Sequence, residues 1–231
     1  MRRAFLYCLS VSILAVSAMA CSQNTPGTAA VKADQVVPAS QEALPLTQVH
    51  PQGAPSGAFD PFYVYQDKGS RNRFTASGYM PTGECVSIDD GWQYDVKQGK
   101  TCTRVVYDSI CSKEGRKWAG VYWQNPADNW GSRKGGYNLT GATKLVFWAK
   151  GEMGGERLEE FRTGGLGANQ MYPDSDTASI GPVILTKDWK EYTIDLRGKD
   201  LSYISGGFAW VANVDSNPHH CTFYLDDIRF E

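Results

Sequence analysis

The stretch Thr143–Lys150 reads TKLVFWAK, and its alternation decides the fold. Leu145, Phe147 and Ala149 fall on one side, while Lys144, Trp148 and Lys150 fall on the other. A period of two belongs to a β-strand with one face on a core and one toward solvent. Glu191–Leu196 repeats the pattern, with Tyr192, Ile194 and Leu196 set against Thr193 and Asp195. Moving outward, β-rich runs recur at Phe62–Gln66, Thr101–Asp108, Trp118–Gln124, Arg157–Thr163, Pro182–Leu185, Gly207–Ala212 and Cys221–Phe230. Gly, Asn-Pro and Asp-Lys-Gly turns separate them. About nine strands in one domain, with no long amphipathic helix, predict an all-β sandwich of two antiparallel sheets over residues 58–231.

Composition agrees. The 231 residues include 42% hydrophobic side chains, 24 Gly, 7 Trp, 12 Tyr and 9 Phe. That is enough apolar material for a sizeable core. A net charge of -2 argues against a nucleic-acid binder that works by neutralising phosphates.

The first residues read as an address. Arg2 and Arg3 precede an apolar run from Phe5 to Val16, which is short for a bilayer span. Ala18-Met19-Ala20 then meet Cys21. This resembles the lipobox of bacterial lipoproteins, with Ala18 where Leu is more usual. The resemblance implies a signal peptide over 1–20, a lipid on the Cys21 thiol, and anchoring to the bacterial cell envelope. Ser22, in place of Asp, resembles the default sorting to the outer membrane. The plainer alternative is an ordinary A-x-A secretory cleavage site. Residues 21–57 are rich in Pro, Ala, Gln, Ser and Gly, lack aromatics through Gly57, and read as a flexible linker.

The segments WAGVYWQNPADNWG (118–131), GGYNLTGATKLVFWAKGE (135–152), DWKEYTIDLRGKDLS (188–202) and CTFYLDDIRFE (221–231) resemble galactose-binding-domain-like jelly rolls of the carbohydrate-binding-module type. The resemblance implies a jelly roll and a glycan or polysaccharide ligand bound without turnover. It also implies that the strands holding Cys102 and Cys221 are neighbours, hence a Cys102–Cys221 disulfide that leaves Cys85–Cys111 as the second pair; an exported chain favours disulfides. Finally, it implies a structural Ca2+ held by Asp226 or Asp227 in the last strand, with Asp60, Asp67 and Asn72 able to contribute oxygens.

A sugar ring offers apolar C–H faces that stack on Trp or Tyr, and hydroxyls that seek amides, acids and guanidinium groups. Residues 118–130 supply Tyr122, Trp123, Asn129 and Trp130 in one strand and its loop. Trp118 and Tyr122 share a face by alternation, and Trp123 takes the other. Trp118, Trp123, Trp148 and Trp210 are each equally readable as core; Trp130, in a polar loop, is the best platform. Arg157 and Glu159, on an unusually charged strand with Phe161 and Arg162, would form a polar floor, and Tyr172 with Asp174 a rim loop.

Other readings stay open. A structural or assembly lipoprotein would use the same aromatics for an envelope protein partner. A small glycoside hydrolase would need two facing carboxylates roughly 5 to 9.5 Å apart, drawn from Glu156, Glu159, Glu160, Asp174 and Asp176. No G-x-S-x-G occurs, and the only histidines after residue 57 are the adjacent His219 and His220, so a serine hydrolase is disfavoured.

Overall fold

The computed structural model describes residues 59–111 and 117–231; the lipobox, Cys21 and most of the linker lie outside them. Among the described residues the chain forms strands and no helix. In order these are β1 (Phe62–Tyr65), β2 (Thr75–Met80), β3 (Val86–Trp92), β4 (Cys102–Asp108), β5 (Trp118–Gln124), β6 (Lys144–Gly151), β7 (Arg157–Leu158), β8 (Glu160–Gly164), β9 (Thr177–Ile180), β10 (Val183–Ile184), β11 (Lys190–Asp195), β12 (Gly206–Asn213) and β13 (His220–Phe230). Every run anticipated from the alternation is a strand. The count exceeds nine because β2, β3 and β9 are too polar or too glycine-bearing to stand out, and because Arg157–Thr163 is broken in two.

One sheet runs β11-β6-β13-β4-β3, with β1 also pairing with β13; the other runs β2-β5-β12-β8-β9, and β7 and β10 form a small ladder apart. All pairings are antiparallel, and from β4 to β6 and again from β11 to β13 the chain alternates between the two sheets. This is a jelly-roll sandwich. Inward residues of both sheets form one core, where Phe147, Phe161 and Phe208 meet with ring centroids 4.7 to 5.8 Å apart. Trp123 and Trp210 are buried in that core. Each such side chain contributes about 1.5–3 kcal/mol by leaving water.

The cysteine pairing needs a correction. Cys85 and Cys111 form a disulfide, but Cys102 and Cys221 are buried thiols. Their strands are indeed neighbours, yet Cys221 lies opposite Tyr107, while Cys102 follows Thr103, the partner of Leu225. Five positions along a strand separate the two sulfurs by about 16 Å, far beyond a disulfide's reach. Burial pushes both thiols up to about 12, so they stay protonated.

The outer face of the first sheet is covered by residues 93–100. The Lys97 and Gln98 amides both donate to Asp226 Oδ2 at 2.9 Å. Lys150 is ion-paired with Asp95, and Trp189 Nε1 donates to the Asp95 carbonyl at 3.0 Å. Cations sit on the rings: Lys97 lies 4.0 Å from the Trp148 centroid, Arg104 5.0 Å from Trp92, and Lys150 5.1 Å from Tyr224 and 5.8 Å from Trp189. Burial raises Asp226 to about 6.

Candidate functional site

The outer face of the second sheet carries a groove of about 330 Å3, lined by Met80, Trp118, Tyr122, Glu160, Arg162, Ala209 and Val211. Register places these side chains in rows. Gly78, Tyr122, Ala209 and Arg162 lie side by side on β2, β5, β12 and β8; Met80, Gly120, Val211 and Glu160 form the next row. The alternation that sends Val121, Trp123, Phe161, Phe208 and Trp210 into the core turns Trp118, Tyr122, Arg162, Ala209 and Val211 outward.

The floor is low because its central positions are small. A Cβ at Gly120 would approach the Trp210 carbonyl oxygen to 2.6 Å, so the position holds only glycine at this spacing. Trp118 stands at one end, 39% exposed. Tyr122 lies four residues further, about 13 Å along the strand. Its hydroxyl donates to the Gly164 carbonyl at 3.1 Å, and burial raises its pKa, keeping the phenol neutral. Trp130, also 39% exposed, leans edge-on against Tyr122 with centroids 6.2 Å apart and planes at 79°. Arg162 donates from Nε and Nη2 to the same Glu160 oxygen, at 3.0 and 2.8 Å.

Of the residues singled out in the sequence, Tyr122 lines the groove, and Trp130 leans on Tyr122 from beside it. Trp123 does not: it is buried, packed against Phe208 at 5.5 Å. Asn129 is fully buried and holds its own loop, accepting from the Gly131 and Arg133 amides and donating to the Arg133 carbonyl. Asp174 is likewise spent, accepting from the amides of Leu166, Ser205 and Gly206 and from the Ser205 hydroxyl. Tyr172 belongs to a rim segment seated on the Trp130 loop, its amide donating to the Gly131 carbonyl at 2.9 Å. Gly131 has φ +89, and a Cβ there would lie 2.7 Å from the Gly167 Cα, so the two loops touch backbone to backbone.

Arg157 and Glu159 pair with each other, and Glu159 also accepts from Ser216 at 2.7 Å; they do not line the groove. The reason is a bend at Glu159 between β7 and β8, which resets the alternation and hands the groove face to Glu160 and Arg162. Trp118 and Met80 were not among the ligand residues expected from the sequence, and Glu160 entered only as a candidate acid for hydrolysis. The signal for Trp118 was its shared face with Tyr122.

Most of the residues proposed for calcium have protein partners in the structure. Asp67 Oδ1 accepts from the Lys100 and Thr101 amides, Asn72 Oδ1 from the Gln66 amide, and Asp227 is ion-paired with Arg229. Asp60 is exposed. Asp226 keeps one buried oxygen without a partner, but among the described residues no three acids, histidines or cysteines gather around one point. Nor does the groove pair two carboxylates for glycoside hydrolysis. Among the described residues Glu160 is the one acid of its lining, and it is bound to Arg162.

Solved structures of similar shape include a family 30 carbohydrate-binding module from a cellulosomal cellulase of Clostridium thermocellum, with TM-score 0.46 and 19% identity over 74% of this chain and 97% of that one. Another family 30 module gives TM-score 0.48 and 14% identity over 74% and 98%. A family 29 module from Piromyces equi gives 0.33 and 13% over 68% and 86%. No protein-family model matches the sequence, and no curated protein does.

Proposed function

We propose that the domain binds a glycan in the Trp118–Tyr122–Trp130 groove without chemical turnover, and that Cys21 carries a lipid that displays it on the bacterial outer membrane. The observation that carries the binding reading is the groove itself. The half-bare Trp118 stands over a floor of small residues, Trp130 leans on the Tyr122 ring beside it, and a guanidinium–carboxylate pair lies alongside. Flat apolar rings meet the C–H faces of pyranoses, and the negative ring face favours those polarised hydrogens. Glu160 and Arg162 offer an acceptor and donors to sugar hydroxyls. Burying most of a ligand in a groove that already has its shape costs little reorganisation.

Affinity electrophoresis of the purified protein through gels containing soluble polysaccharides tests the reading. At least one polymer is expected to retard the wild type, and Trp118→Ala to abolish most of the retardation. A wild type that no polymer retards, or a Trp118→Ala variant retarded as strongly, overturns it. For the anchor, cells fed a labelled fatty acid are expected to label the protein, and Cys21→Ala to lose the label.

A further inference from the structure

We propose that the Glu160–Arg162 pair is the charge filter of the groove, admitting uncharged glycans and turning away those that carry carboxylate or sulfate. The inference rests on the glycan-binding reading and narrows it to a ligand class.

Among the described residues, Glu160 and Arg162 are the charged members of the groove lining; Met80, Trp118, Tyr122, Ala209 and Val211 are neutral. A lone arginine beside aromatic rings would recruit anions, because a guanidinium fork matches a carboxylate or sulfate in two parallel bonds. Here the fork is occupied. Nε and Nη2 both point at Glu160 Oε1, and the same guanidinium bears on the Tyr122 hydroxyl across the small Ala209. An incoming anion must displace Glu160 from Arg162 and then sit beside the carboxylate it has freed. A neutral diol meets no such conflict. One hydroxyl can donate to Glu160 Oε2, which no described protein group engages, and another can accept from Arg162, with the pair intact.

The neighbouring Arg157–Glu159 pair has the same two-residue spacing but lies outside the groove, so it serves as a control. Within this reading Glu160 is a positioning residue: it excludes anions through Arg162.

The test compares neutral glucan, xylan and mannan with their carboxymethylated derivatives, by affinity electrophoresis and titration calorimetry on the full chain. The wild type is expected to bind a neutral polymer at least about tenfold more tightly than its carboxymethylated form. Glu160→Gln is expected to shrink that ratio by about tenfold or more, a gain of ~1.4 kcal/mol for the acidic polymer. The gain should fade in 1 M salt, where charges are screened beyond about 3 Å. Adding Arg162→Gln to Glu160→Gln is expected to restore discrimination, which a merely misfolded groove would not do. Equal wild-type binding of both polymers, an unchanged ratio in Glu160→Gln, or an equal change in Glu159→Gln overturns the filter and leaves glycan binding standing. A wild type that binds none of the polymers overturns the glycan reading instead.

Discussion

The two outer faces of the sandwich use the same residue types to opposite ends. On the first sheet, Trp92, Trp148, Trp189 and Tyr224 are each within cation–π reach of Arg104, Lys97 or Lys150, and residues 93–100 are strapped across them. On the second sheet, no cation of the described residues lies over Trp118 or Trp130, and the floor beside Trp118 is glycine, alanine and valine. A ring whose face is taken by the protein's own ammonium contributes to stability. A ring left bare is available to a ligand. Counting aromatics cannot separate the two; what each ring faces does.

Removing the bare ring at the groove end should cost binding and leave the fold alone. Trp118→Ala is expected to weaken glycan affinity by about 30-fold, ~2 kcal/mol, as for a central anchor, with an unchanged melting temperature in calorimetry. The mirror experiment is Lys150→Met on the other face. It removes the Asp95 ion pair and two ring contacts from a mostly buried ammonium, and is expected to lower stability by about 2 kcal/mol, a fall of roughly 4–8 °C for a domain of this size. Glycan affinity should not move. If Lys150→Met weakens binding as much as Trp118→Ala does, the division between the faces fails. Trp130→Ala should fall below Trp118→Ala, at about fivefold, because Tyr122 still presents its ring beneath it.

The smallest expected effect is a pH drift on the first face. Burial holds Asp226 at about 6 in the folded chain against an ordinary 3.8. The folded state therefore binds a proton that the unfolded state releases in that window, and this group's contribution to stability rises as pH falls through 6 and levels off below about 4. Between pH 7 and 6 the gain is about 0.4 kcal/mol, roughly 1 °C. Asp226→Asn should flatten that segment of a melting-temperature profile while binding to the groove is unaltered.

How much of this was legible depended on whether the period of two ran unbroken. Thr143–Lys150 keeps strict alternation, so its inward and outward faces follow from the sequence; in Trp118–Gln124 the shared face of Trp118 and Tyr122 follows too, but apolar residues on both sides do not tell which face is core, and Trp123, expected at the ligand, packs inward. Arg157–Thr163 does not, because the bend at Glu159 shifts the phase, and the charged groove residues become 160 and 162 in place of 157 and 159. β2 was missed because Ser77 and Gly78 interrupt its apolar positions, and the register shifts there between Ala76 and Gly78. Asn129 and Asp174 have the chemistry of ligand groups, but short polar side chains in loops are equally apt to bind nearby backbone amides. That choice is made by three-dimensional neighbours. The Cys102–Cys221 expectation failed in the same way: adjacency of strands was correct, and the offset along them was not.

The groove is assembled from 75–80, 118–124, 160–164 and 206–213, with intervening chain crossing to the opposite layer and back. No contiguous peptide contains the whole of it, and of its four strands only β8 finds a partner nearby in the chain, β9. The proposed affinity for a glycan polymer would thus be an all-or-none attribute of the completed sandwich, and its appearance during refolding would time the closing of long-range pairings that topology makes slow.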